Sequence, residues 1–298
     1  MAEAGPVAPS PPLQPPRSAP GIMRSGRNLT QAVGTALVLM LLVIVAYTLG
    51  PDYFFWLAAA VVILALLELV TALRASGRKL VIPFVVVCAL GALIAAYFRP
   101  ERPELLLLVA GVTAIGSLLL MLRPDRGAAP GSDAGSSVLS VLWIGGGGAA
   151  AVSILALASS GNARLGMNFL VALVLITALD DITAYFVGTR WGRHKLAPSI
   201  SPGKSWEGLA AGSAAALGAG AAFGALIGEL GVLNGLVIGL IVSVFAPAGD
   251  LTESAVKREL GIKDSGTLLP GHGGFLDRLD AILFCCPAAL AYLRFVVV

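Results

Sequence analysis

Apolar runs of about 20 residues, the length an α-helix needs to cross the hydrocarbon core of a bilayer, recur nine times along the chain. They lie at roughly 29–49, 53–73, 80–98, 104–122, 138–159, 167–188, 208–229, 232–248 and 279–297. The pattern predicts an all-α, polytopic integral membrane protein with about nine transmembrane helices. Two places leave the count open by one or two. The fifth run contains Gly145 to Gly148, and the seventh and eighth close on Gly228 and Gly231, where re-entrant segments would also fit.

Composition supports the same class. Of the 298 residues, 57% are hydrophobic and 12% charged, and the mean hydropathy is +0.89. An ordinary soluble domain carries about a quarter charged residues, so a soluble globule is excluded. Residues 1–27 differ in kind, with seven prolines in the first twenty and few large apolar side chains, and read as a disordered cytosolic tail. They lack the pattern of a cleaved signal peptide, so the tail is expected to stay attached. The stretch 124–137, rich in Gly, Pro, Ser and Asp, reads as a linker between N-terminal helices (28–123) and a C-terminal transmembrane catalytic domain (138–298). Cys88, Cys285 and Cys286 all fall in apolar runs and read as small hydrophobes.

The net charge of +3 is too small to suggest a nucleic-acid partner, but its distribution is informative. Cytosolic loops of membrane proteins are enriched in Lys and Arg. With a cytosolic N-terminus and nine crossings, 16 of the 20 basic residues fall inside; Arg99, Arg102, Arg164 and Arg294 fall outside. The expected address is the inner (plasma) membrane, multi-pass, with the chemistry on the cytosolic side.

That chemistry is concentrated between Asp250 and Asp280, where six acids and four bases share 31 residues of a nearly charge-free chain. Asp250, Glu253, Ser254, Lys257 and Arg258 are followed by Lys263 and Asp264, then Pro270-Gly271-His272-Gly273-Gly274, then Asp277, Arg278 and Asp280. Asp277 and Asp280 are three apart and share a helix face. Carboxylates without softer ligands suit a hard cation such as Mg²⁺. The interleaved bases complement phosphate oxygens. Glycines around His272 let the backbone approach a bulky anion at a helix start. The sum points to metal-assisted phosphoryl or nucleotidyl transfer at the membrane surface.

Upstream, Asp180 and Asp181 sit in the sixth apolar run, where an ionisable side chain is costly. Asp181, Tyr185 and Gly188 share a face while Asp180 points about 100° away, so Asp181 is the better candidate. Gly203-Lys204-Ser205 resembles the end of a P-loop, but Pro198 stands where its first glycine belongs. The chain contains no Asp-Gly pair, and with it no Asp-Gly-rich CDP-alcohol phosphotransferase motif.

The run Ser254, Lys257, Arg258, Lys263, Asp264, Gly266, Leu269, Pro270, His272, Gly273, Gly274, Asp277, Arg278, Asp280 resembles, with its spacing intact, the signature of the phosphatidate cytidylyltransferases, or CDP-diacylglycerol synthases. Ser201-Pro202-Gly203-Lys204-Ser205-Trp206-Glu207-Gly208 is similar to the family's Ser-Pro-Lys-Lys-Thr-x-Glu-Gly segment, with Gly203 and Ser205 as departures. Asp181, Ala184, Tyr185 and Gly188 resemble its Asp-x-x-Ala-Tyr-x-x-Gly stretch. The resemblance covers about 165–298; the first four runs match only in hydropathy.

What the resemblance implies is transfer of CMP from CTP to phosphatidic acid, giving CDP-diacylglycerol and pyrophosphate in phospholipid biosynthesis. Together with the chemistry of the side chains it assigns Asp250 and Asp277 as principal Mg²⁺ ligands, with Asp280 and Asp264 behind them and room for a second cation. Lys257, Arg258, Lys263, Arg278 and His272 join Asp250 and Asp277 as catalytic candidates. Ser201, Lys204, Ser205, Glu207, Ser254, Gly273, Gly274, Asp181 and Tyr185 are expected to contact substrate. The implied partners are CTP, phosphatidic acid and membrane lipid, with a homodimer left open.

Overall fold

The protein is described by a computed structural model covering residues 29–120, 130–158, 162–266, 268–269 and 273–297. The helices are α1 (Leu29–Leu49), α2 (Pro51–Ala75), α3 (Ile82–Phe98), α4 (Glu104–Leu120), α5 (Pro130–Ser140), α6 (Gly146–Leu155), α7 (Leu165–Trp191), α8 (Trp206–Leu226), α9 (Val232–Glu259) and α10 (Leu276–Tyr292). A π-helical turn, Val141–Gly145, joins α5 to α6 in one rod, and another, Leu293–Val297, extends α10. Six of the rods are long and apolar enough to cross a membrane: α2, the α5–α6 rod, α7, α8, α9 and α10 with its extension. The apolar stretches of α1, α3 and α4 are shorter.

Two stretches differ from the sequence reading. Of the expected linker, residues 130–137 are helical and open the α5–α6 rod, whereas 124–129 lie outside the described residues. Between α7 and α8 the chain is not helical but forms a hairpin, β1 (Lys195–Ala197) antiparallel to β2 (Ser201–Ser205), pairing Lys195 with Ser205 and Ala197 with Ser201. Strands this short, one of them carrying Pro202 and Gly203, leave no mark in a pattern dominated by apolar runs of about 20 residues.

The glycines of the fifth run pack a rod. A Cβ at Gly147 would meet the Leu283 backbone of α10 at 2.6 Å, and one at Gly148 would meet Val62 of α2 at 2.6 Å. Likewise Gly208, Gly212, Ala216, Gly220 and Gly224 recur every fourth residue as the buried stripe of α8. Gly220 and Gly224 face Gly235 of α9, and Gly239 faces Ala216, so the two backbones nearly touch. Where lipid is as apolar as any side chain, close approach of small residues is what holds helices together.

Contacts at the rod ends sort the loops into two sets. At one end Arg78 reaches Glu259 (4.0 Å), the Lys79 amide donates to Asp133 (3.0 Å) and Arg258 donates to the Ile200 carbonyl (3.3 Å). At the other, Tyr47 donates to Asn168 (2.6 Å), Arg164 to the Thr48 carbonyl (3.3 Å), Tyr97 to Asp52 (2.9 Å) and Arg294 to the Pro100 carbonyl (2.9 Å). There Asn162 also donates to Glu229, which holds that carboxyl below the usual range. Among the described residues the first end holds every Lys and Arg except Arg99, Arg102, Arg164 and Arg294.

The core runs between the ends. Phe55, Leu66 and Val70 of α2, Leu93 of α3, Ile144 and Ile154 of the fifth rod, and Leu165, Met167, Leu173 and Ile176 of α7 are fully buried. Outward, α1 exposes an unbroken stretch from Leu41 to Val45, and α4 exposes Leu107, Leu108, Ile115, Leu118 and Leu119. An apolar belt on that scale belongs in lipid.

Candidate functional site

Helix α9 supplies the site's spine. Asp250, Glu253 and Lys257 are spaced i, i+3, i+7 and so project from one face. Gly249 packs directly on the Asp280 backbone, with no room for a Cβ, and this draws α10 at Asp280–Ala281 against that face. One carboxylate oxygen each from Asp250, Glu253 and Asp280 then lie within 4.8 Å of one another. Glu253 is 1% exposed and its Oε1 has no hydrogen-bond partner among the described residues, although Lys257 holds the other oxygen at 2.6 Å.

The hairpin brings the second side. Ser205 caps α8, its Oγ accepting from the Gly208 amide at 3.1 Å, and Lys204 just before it reaches back to Asp250 at 2.7 Å. Glu207 fixes the hairpin's base: both its oxygens accept from the His194 amide, at 3.2 and 3.3 Å, and its Oε1 meets His194 Nδ1 at 2.7 Å. Arg258 holds the hairpin from α9 through its bond to Ile200. Glu207 and Arg258 thus serve the architecture around Lys204.

The third side is the loop into α10. Lys257 lies between Glu253 and Asp277, 2.9 Å from the latter, in a triad whose side chains are all nearly buried. Asp277 also accepts from the Ser265 amide (3.1 Å) and the Gly274 amide (2.8 Å). Its oxygens are therefore spent on protein donors, and it stands outside the Asp250–Glu253–Asp280 cluster. The Gly274 N–H, expected to face a phosphate, is committed to Asp277. Gly273 turns the chain with a positive φ of 87° and exchanges backbone hydrogen bonds with Leu269. Asp264 and Lys263 are exposed on this loop, Ser254 donates to Asp250 at 3.3 Å, and His272 lies outside the described residues.

These elements enclose a cavity of about 550 Å³ at the basic end of the rods. Ser201, Gly203, Lys204 and Ser205 of the hairpin, Asp181 and Tyr185 of α7, and Asp250, Lys257, Asp277, Arg278 and Asp280 all line it. Two acids that the sequence reading left unassigned line it too, Glu253 and Asp180. Glu253 was accessible from its i+3 spacing to Asp250. Asp180 is 2% exposed, with Oδ1 unpartnered among the described residues and packed against Gly212 of α8. A helical wheel turned it away from Asp181 because it could not include that neighbouring helix.

Six carboxylates line the cavity against three cationic side chains, Lys204, Lys257 and Arg278. A pocket so acidic would repel a polyphosphate unless cations entered with it. Its donor set, all oxygen and including an unpartnered buried Glu253 atom, fits a hard divalent ion such as Mg²⁺. The remaining wall is apolar, with Ile182, Phe186, Leu196 and Leu209, and Phe186 is 65% exposed on the outer surface of α7. One cavity therefore presents a charged floor and a greasy flank.

The sequence model of the cytidylyltransferase family matches residues 30–296. The chain belongs to that family. Its similarity is not confined to the charged motifs, since the match also takes in the N-terminal helices. A phosphatidate cytidylyltransferase of Mycobacterium bovis is 31% identical over 291 residues, covering 90% of this chain and 88% of the relative. One from Brucella abortus is 44% identical over 133 residues, which is 45% of this chain and 48% of the relative. An uncharacterized Escherichia coli protein is 38% identical over 134 residues, 45% of each. In these last two alignments the chain spans just under half the length of its relative.

Proposed function

We propose that this member of the cytidylyltransferase family transfers CMP from CTP to phosphatidic acid, releasing pyrophosphate and leaving CDP-diacylglycerol in the membrane. The observation that carries the reading is the cavity with an acidic floor and an apolar flank at the basic end of the helix bundle. A lipid phosphate and a nucleoside triphosphate both need cations there, and acyl chains need a way out into the bilayer past α7.

Asp250, Glu253 and Asp280 would hold Mg²⁺, with Asp180 and Asp181 close by for a second cation. The metal would supply charge neutralisation for the phosphates and a template for in-line displacement. The protein's own part is positioning. Lys204, on a hairpin locked by Glu207 and Arg258, presents its ammonium above Asp250 and is placed to trade that partner for a phosphate oxygen. Arg278 opens onto the same cavity from α10. Lys257, pinned between Glu253 and Asp277, keeps the two carboxylates from repelling each other. A phosphate oxygen of phosphatidate attacks the α-phosphorus, and the bond from that phosphorus to the β-phosphate bridging oxygen breaks. A phosphomonoester has a second pKa of about 6 and is mostly dianionic at neutral pH, so the nucleophile needs no strong base. Incubation with phosphatidate, CTP and Mg²⁺ should yield a lipid whose mass has risen by one cytidylyl group. A lipid of unchanged mass, with CTP intact, would defeat the reading.

We further propose nine crossings with the cavity cytosolic, in the inner membrane, because the basic residues collect at the cavity end. Cysteines introduced at Ser10 and Val298 should then label from opposite sides of the membrane in intact cells. Labelling of both from one side would make the number of crossings even.

A further inference from the structure

Glu68 does not line the cavity, yet the site leans on it. It belongs to α2, among the N-terminal helices, and is 4% exposed. Its Oε2 accepts from the amide of Leu276, the first residue of α10, at 2.9 Å. Its Oε1 has no hydrogen-bond partner among the described residues. Gly266 and Gly274 pack on the carboxylate so closely that a Cβ at either would collide with it. From the other side of the same loop, Asp277 takes the Ser265 and Gly274 amides. Ser265, Gly266, Gly274 and the Leu276 amide are thus gripped by two carboxylates, one from the first turn of α10 and one from a helix 208 positions away in sequence. Negative charge is favoured at a helix N-terminus, and a hydrogen bond to an ionised acceptor in a dry setting is a strong one.

We propose that Glu68 is a positioning residue. It fixes Gly266, Gly274 and the start of α10, and so sets Asp277 against Lys257 and Asp280 beside Asp250 and Glu253. Its effect on turnover rests on the function proposed above; its grip on the loop does not. Because Glu68 is outside the cavity, its loss should act on kcat and leave the KM for CTP nearly unchanged.

The test compares the full chain with Glu68→Gln, which keeps the shape and one acceptor oxygen, and Glu68→Ala. Hydrogen exchange over 265–276 should be about tenfold or more faster in the alanine variant and intermediate in the glutamine variant, as expected when a local clamp opens. In the same order kcat, per folded protein, should fall by about tenfold to a hundredfold, the cost of a small misplacement of reacting groups. The glutamine variant separates position from stability: it should melt like wild type and still exchange faster. Unchanged exchange in both variants would overturn the proposal, as would faster exchange with wild-type kcat, or a kcat loss that only follows the folded fraction. A wild type that makes no lipid product from CTP would sink the proposed function, while the exchange measurement would still decide whether Glu68 holds the loop.

Discussion

Asp250→Asn is expected to lower turnover by about a hundredfold or more, the scale on which losing one fixed electrostatic partner of a phosphoryl-type transition state is felt. Asp250 stands in two interactions at once. One oxygen is 2.7 Å from Lys204, and the carboxylate also belongs to the three-acid cluster with Glu253 and Asp280. The amide preserves the shape but removes the charge that orients the hairpin lysine and that, on the proposed function, would bind a divalent cation. Rates over a Mg²⁺ titration check the prediction, since the variant should demand more metal as well as turn over more slowly. Asp264→Asn, on the exposed loop, serves as the contrast and should leave both quantities little changed. A variant at Asp250 that follows the wild-type curve throughout would remove this residue from the proposed cation site.

Lys257→Met should damage fold and activity together. The ammonium is the shared partner of Glu253 at 2.6 Å and Asp277 at 2.9 Å, and the three side chains are 16%, 2% and 10% exposed. A thioether of similar length leaves two buried carboxylates facing each other. Breaking a buried ion pair by deleting one partner costs about 3–5 kcal/mol. Thermal unfolding in detergent should shift down, and the remaining folded protein should be nearly inactive because Asp277 no longer anchors the start of α10. Lys263→Met, on the exposed part of the same loop, should unfold as the wild type does. Equal unfolding temperatures for Lys257→Met and wild type would show that the triad contributes nothing.

Among the described residues each predicted apolar run overlaps a helical rod, even at Gly145–Gly148, because a backbone in lipid must satisfy its own hydrogen bonds, and six of the rods reach spanning length. The motif from Asp250 to Asp280 pointed to the cavity, because Asp250, Glu253 and Lys257 share one face of one helix and local spacing suffices to align them. Spacing within a helix could not say which acids meet across helices. Asp277 and Asp280 look equivalent on a wheel, but Gly249 brings Asp280 to the cluster while the loop amides claim Asp277. Glu68 was illegible for the same reason, being an acid isolated in the apolar interior of its helix whose partner lies at the far end of the chain. The hairpin escaped because its strands are only three and five residues long.

On the proposed function the cavity holds a nucleoside triphosphate and a lipid phosphate together, and the bond broken is at the α-phosphorus. A kinase acting on a neutral lipid alcohol would need a base for its hydroxyl, whereas each carboxylate in the cluster faces a cationic side chain or its fellow acids. CTP carrying label at the α-phosphate should pass that label to the lipid and release unlabelled pyrophosphate, and CTP labelled at the γ-phosphate should leave the lipid unlabelled. Label reaching the lipid from the γ-position, with CDP as the by-product, would contradict the account.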